Sequence, residues 1–205
     1  MALVYRGAKF SYYLMFLFSV PIIFLTLDIL NLWLGHYPDQ TIIFVRLTLV
    51  YGLVTVLSKT LTTEILATGK IQANAYIIGG LRLLILPFCY FVLWMGYEAY
   101  TVYLVMIVID SISLFTRLYI LKYVTGVKML GYIKNVLCPV SIVSILSCAI
   151  CYIIWKQIPS TLPYHILYVI TSFMICLMLI VSIGIESNER KMIISGVNKI
   201  IRRIK

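Results

Sequence analysis

The sequence predicts an all-α, polytopic transmembrane helical bundle, and three observations carry that prediction. The first is composition. Of 205 residues, 62% are hydrophobic and 12% are charged. The mean hydropathy is +1.04, whereas a soluble domain is nearer half apolar. The second is the arrangement of the apolar residues into six stretches, each about long enough to cross a bilayer as a helix of roughly 20 residues. They cover approximately 10–34, 42–66, 76–96, 102–121, 136–155 and 164–185. The third is where lysine and arginine fall. Alternate connections and the two ends hold Arg6, Lys9, Lys70, Lys122, Lys128, Lys134, Arg190, Lys191, Lys199, Arg202, Arg203 and Lys205, and the opposite connections hold only Lys156. Cytoplasmic loops retain Lys and Arg while translocated loops shed them. Twelve against one therefore predicts six spans with both termini cytoplasmic.

Taken in order, the first span runs from Phe10 to about Leu34, with Pro21 inside it and an outer turn through Gly35, His36, Tyr37, Pro38 and Asp39. Proline is tolerated in a membrane helix where neighbours satisfy the freed carbonyl, usually with a kink. Arg6 and Lys9 imitate the basic start of a signal peptide, but the apolar run is too long and lacks an A-x-A-like cleavage site. The second span ends in the inner turn Ala67-Thr68-Gly69-Lys70. The third carries Gly79-Gly80 and Pro87, and a short outer turn around 97–100 leads into the fourth. The fifth carries Pro139 and the sixth is uncharged until Glu186. Trp33, Trp94 and Trp155 fall at the outer ends of the odd-numbered spans, where an indole ring is buried and its N–H stays wet.

These six spans form one domain, 1–185, and 186–205 reads differently. Ile193, Val197, Ile200, Ile201 and Ile204 recur at helical spacing among Lys191, Lys199, Arg202, Arg203 and Lys205. That pattern predicts a basic amphipathic helix lying on the inner surface, held by anionic membrane lipids. The net charge of +10 does not indicate nucleic acid, because the basic residues sort by membrane side rather than into one patch. All five cysteines lie within spans, away from any loop where an oxidising compartment would pair them, and Cys148-x-x-Cys151 reads as packing. Ser141, Ser144 and Cys148 form a stripe of small residues suited to close helix contact.

Function rests on the ionisable residues that belong to no loop. Asp110 is central in the fourth span, Lys59 and Arg82 lie about two turns from the inner surface, and Arg46 and Asp28 are nearer the outer side. A charge at mid-bilayer costs about 2.5–3.5 kcal/mol on insertion scales, so such residues face protein or water. Asp110, Ser113 and Arg117 share one helix face at spacings of three and seven, extended by Tyr103. Two readings stand for Asp110: one wall of a polar cavity, or an ion pair with Arg82 or Arg117 that ties helices together. Glu64, Arg117 and Asp28 are near enough to the surface to snorkel. Lys59 and Arg82 have no carboxylate at the same depth, which suits an anionic guest. No Ser-His-Asp set is present and His36 and His165 have no metal-ligand partners nearby, so the sequence indicates no enzyme, no metal and no cofactor.

The stretch Lys9-Phe10-Ser11-Tyr12-Tyr13-Leu14, then Pro21, then Ile29-Leu30-Asn31-Leu32-Trp33-Leu34-Gly35 with Pro38, resembles the C-terminal half of Wzx-type polysaccharide (O-antigen and capsule) flippases. These belong to the multidrug/oligosaccharidyl-lipid/polysaccharide exporter superfamily. Phe44-Val45-Arg46-Leu47, Leu66-Ala67-Thr68-Gly69-Lys70-Ile71 and Leu86-Pro87-Phe88-Cys89-Tyr90 follow the same order. The resemblance covers nearly the whole chain. It implies alternating-access transport of a lipid-linked oligosaccharide across the bacterial inner membrane, with Arg46, Lys59 and Arg82 as candidates to face the lipid's phosphates; Asp110 and Ser113 join them as candidate cavity residues from their shared helix face. It also implies a partner, either an N-terminal lobe or a second copy. A small-molecule exporter and a non-transporting scaffold subunit of a glycan assembly complex are the rival readings.

Overall fold

The computed structural model describes residues 2–69, 71–126, 129–159 and 162–185. The basic amphipathic segment expected over 186–205 lies outside the described residues. The elements are α1 (Ala2–Phe24), α2 (Thr26–Trp33), α3 (Thr41–Ala67), α4 (Ile71–Leu83), α5 (Ile85–Trp94), α6 (Thr101–Thr125), α7 (Met129–Tyr132), α8 (Cys138–Gln157) and α9 (Leu162–Leu179). A π-helical turn, Ile133–Leu137, joins α7 to α8, and another, Ile180–Gly184, closes α9. No strand occurs among the described residues. Six helical runs are long and apolar enough to cross a membrane: Val4–Phe24, Thr41–Ala67, Ile71–Trp94, Thr101–Thr125, Met129–Gln157 and Pro163–Gly184.

Proline sets the interruptions. Pro21 has no N–H for the Leu17 carbonyl, and α1 breaks four residues later at Leu25. The Thr26 hydroxyl donates to the carbonyls of Ile22 (2.6 Å) and Ile23 (3.0 Å) at this break, so the backbone there is not left bare in an apolar medium. Pro87 likewise leaves the Leu83 carbonyl without its usual donor, and Leu84 separates α4 from α5. Ahead of Pro139 the helix widens instead. Cys138 N–H bonds to the Ile133 carbonyl, five residues back, which relaxes the crowding that the proline ring imposes.

These interruptions move the expected boundaries. The first membrane run starts at Val4, not Phe10, and ends at the Leu25 break, with α2 carrying the chain on to Trp33. Lys9, assigned from sequence to the N-terminal connection, is inside α1 and only 2% exposed. The third run starts at Ile71 rather than 76, because Gly69, with φ of +75°, turns the chain and the helix resumes two residues later.

The described residues divide into two compact units, one ending at Cys138 and one beginning at Pro139. In the first, α3 packs between α1 and α6, and α6 also meets α4 and α5. Tyr12, Phe16 and Val20 of α1 and Leu53, Leu57, Leu61 and Ile65 of α3 recur every four residues and are buried, which marks one face of each helix. The end of the Met15 side chain of α1 fills the space over Gly52, where a Cβ would displace it. In the second unit, α9 and the π-helical turn that closes it bury Tyr168, Ser172, Cys176 and Ile180 at the same four-residue step. The Tyr168 hydroxyl donates to the Cys151 carbonyl at 3.2 Å. The small-residue stripe of α8 is not the buried one. Ser141 is exposed while Val140, Val143, Ser147 and Cys151 are buried. The contact face is rotated by about one residue so that the branched valines, with more apolar area than serine, are the ones removed from the surroundings.

Candidate functional site

Within the first unit, three helices bring polar side chains together at mid-span. Tyr51, Thr55 and Ser58 on α3 are spaced at four and seven, and Asp110, Ser113 and Arg117 on α6 at three and seven. Each set occupies one helix face. Arg82 comes from α4. Thr55, Arg82 and Asp110 are the fifteenth of 27, twelfth of 24 and tenth of 25 residues in their runs, so all three sit near the middle of a span. The sequence reading put Arg82 about two turns from the inner surface. The early start of α4 at Ile71 moves it to the centre.

Asp110 is the hub. Its side chain is 1% exposed. Oδ2 accepts a hydrogen bond from Thr55 Oγ1 at 3.2 Å, and Oδ1 faces Arg82 Nη2 at 3.7 Å. The Tyr51 hydroxyl is turned to the same carboxylate. Arg82 is the outward member of the pair, with half of its side chain exposed. Arg117 is buried, and its Nη1 donates to Ser58 Oγ. Ser113 is fully buried, and its hydroxyl has no hydrogen-bond partner among the described residues, nor has Arg117 Nε or Asp110 Oδ1. Buried polar atoms are ordinarily satisfied, so this seam is polar, largely buried and incompletely paired. One carboxylate faces two guanidinium groups there, for a formal charge of +1.

Of the sequence-selected residues, Arg82, Asp110 and Ser113 converge and the other two do not. Arg46 is half-buried, and its Nε donates to the Ile23 carbonyl at 3.0 Å, where α1 breaks. Lys59 is exposed on α3 beside Ser58. Tyr103 leaves the polar stripe for an edge contact with Phe44, with ring centroids 5.7 Å apart. Both readings of Asp110 meet in one place, since the ion pair with Arg82 is itself part of the polar seam. Tyr51, Thr55 and Ser58 were not singled out from sequence. Their spacing was there to be read, but hydroxyl residues are common in membrane helices, where they bond back to the preceding turn, as Thr48 does to Phe44 at 2.8 Å. Only the packing of α3 on α6 distinguishes Thr55 from Thr48. Among the described residues no three of His, Cys, Asp and Glu group as metal ligands.

Six apolar runs separated by short turns, with polar atoms gathered inside rather than spread outside, leave one description. The chain is a multi-pass membrane protein. No protein-family model, no curated protein and no solved structure matches it.

Proposed function

We propose that this membrane protein is the C-terminal portion of a lipid-linked oligosaccharide flippase, which moves its cargo by alternating access and performs no covalent chemistry. One observation carries the reading: Arg82, a permanent cation at the centre of its span, is half exposed. A cation at that depth is costly against hydrocarbon. It is far less costly against the phosphates of a lipid headgroup, which guanidinium binds in a fork geometry. Exposed Lys59 and buried Arg117 add to the local positive excess, which disfavours a cationic drug as cargo. The cavity needs further walls around the exposed side of Arg82, and an N-terminal lobe or a second copy would supply them. The positive bias of alternate connections supports cytoplasmic termini, and the flippase reading carries with it a bacterial inner membrane.

Complementation tests this. In a strain lacking its own flippase, the chain co-expressed with an N-terminal flippase lobe is expected to restore surface polysaccharide, and Arg82→Ala to abolish restoration at unchanged membrane abundance. Full restoration by Arg82→Ala would remove the basis of the proposal. Resistance to cationic drugs in place of polysaccharide would identify a small-molecule exporter.

A further inference from the structure

We infer that Asp110 and Arg82 form a charge-exchange pair through which a phosphate-bearing ligand and a proton bind together. The ligand's phosphate takes the Arg82 guanidinium, and the carboxylate left behind takes a proton from water. The inference rests on the anionic-cargo reading above and extends it to how binding is coupled.

Three features of the pair support it. The ion pair is loose, because 3.7 Å is well beyond the roughly 2.7–2.9 Å of a charge-assisted N–H···O bond. The two members are unequally placed. Half of Arg82 is exposed and 1% of Asp110 is, so a ligand can reach the guanidinium while the carboxylate stays too enclosed to be fully hydrated in its place. Finally, the carboxylate is under-supplied with donors. Thr55 has a single hydroxyl proton to share between the Tyr51 carbonyl at 2.9 Å and Asp110 Oδ2 at 3.2 Å. Oδ1 has no hydrogen bond. Once Arg82 turns to a phosphate, Asp110 is a buried anion with at most half of one hydroxyl proton and the Tyr51 hydroxyl to stabilise it. A buried unpaired charge costs several kcal/mol, and neutralisation is the cheaper outcome.

The surrounding groups allow it. From α3 the carboxylate is faced by Tyr51 and Thr55, with Lys59 exposed further along. From α4 it is faced by Arg82, and along its own helix by Arg117. α5 and α7 bring no charged side chain, only Cys89, Tyr90 and Tyr132 as titratable groups. Arg117 is held by Ser58 and so is not free to take over Arg82's place. Ser113 Oγ, buried and without a partner one turn along the same face, offers the added proton an acceptor. Because binding free energies are reciprocal, protonation of Asp110 promotes phosphate binding as much as phosphate promotes protonation.

The test uses the full chain in zwitterionic nanodiscs with farnesyl diphosphate as the probe, farnesol as the neutral control and inorganic pyrophosphate as the headgroup without a lipid. Calorimetric titration in buffers of different ionisation enthalpy reads protons taken up on binding. About one proton per farnesyl diphosphate is expected, and affinity should fall about tenfold per pH unit across the range where that proton is taken up. Asp110→Asn is expected to bind with no proton uptake and a flat pH profile. Infrared difference spectra should show a protonated-carboxyl band appearing with the ligand in the natural chain and not in Asp110→Asn. That readout needs no Arg82 variant to fold. Binding without proton uptake, or uptake that persists in Asp110→Asn, overturns the exchange pair and leaves the anionic-cargo reading standing. No binding of farnesyl diphosphate by either protein overturns the exchange pair, while the cargo reading is decided by complementation. Equal binding of pyrophosphate, with the same uptake, supports the exchange pair and assigns the site to free diphosphates rather than lipid headgroups.

Discussion

Removing either member of the Arg82–Asp110 pair should have very unequal consequences for stability. Arg82→Met leaves the Asp110 carboxylate at 1% exposure, with only the Thr55 hydroxyl at 3.2 Å and the Tyr51 hydroxyl turned to it. Deleting one partner of a buried pair costs about 3–5 kcal/mol, because the survivor's charge is stranded. Asp110→Asn strands Arg82 instead, but half of that side chain is already exposed and its long stem can carry the charge elsewhere. The asparagine also keeps an oxygen for Thr55. A partly exposed pair is worth about 1 kcal/mol or less. The expected difference between the two variants is therefore roughly 2–4 kcal/mol. Reversible unfolding in mixed micelles, followed by helix signal against denaturing-detergent fraction, measures it directly. Equal costs, or a larger cost for Asp110→Asn, would show that the carboxylate is not the buried member in the membrane and would sink the argument.

Two further outcomes follow from other parts of the molecule. Arg46→Met should destabilise by about 0.5–1.5 kcal/mol, because it removes one donor from the Ile23 carbonyl at the α1 break while Thr26 keeps its own bond there; Arg46→Gln retains an N–H and should lose less, and identical unfolding of all three proteins would mean the bond contributes nothing. For topology, single cysteines at Asp39 or Glu98 in a cysteine-free chain should react with an impermeant thiol reagent added outside the cytoplasmic membrane, and cysteines at Gln72 or Gly131 should react only after permeabilisation. Outside labelling at Gly131 would reverse the orientation.

Much of the architecture was written in local sequence. A continuous apolar run of this length satisfies its own backbone in lipid as a helix, so apolar length alone located all six runs, the second to within one residue at each end. Pro21 and Pro87 announced interruptions that the structure places at Leu25 and Leu84, because a proline disturbs the turn before or after it rather than its own position. Boundaries set by charge were less legible. Lys9 belongs to a helix that sequence alone would stop short of it, since a cation counts as loop until its surroundings are known. The site divided in the same way. Asp110, Ser113 and Arg117 share a face by helix geometry, which any single helix reveals. That Thr55 and Ser58 of α3 meet them, that Arg82 stands at the same depth as Asp110, and that Arg46 instead serves a broken backbone at Ile23 depend on how α1, α3, α4 and α6 pack and where each begins. Periodicity reports which residues of one helix lie together. Which helix they face is decided by contacts between segments far apart in the chain, and no local pattern encodes those.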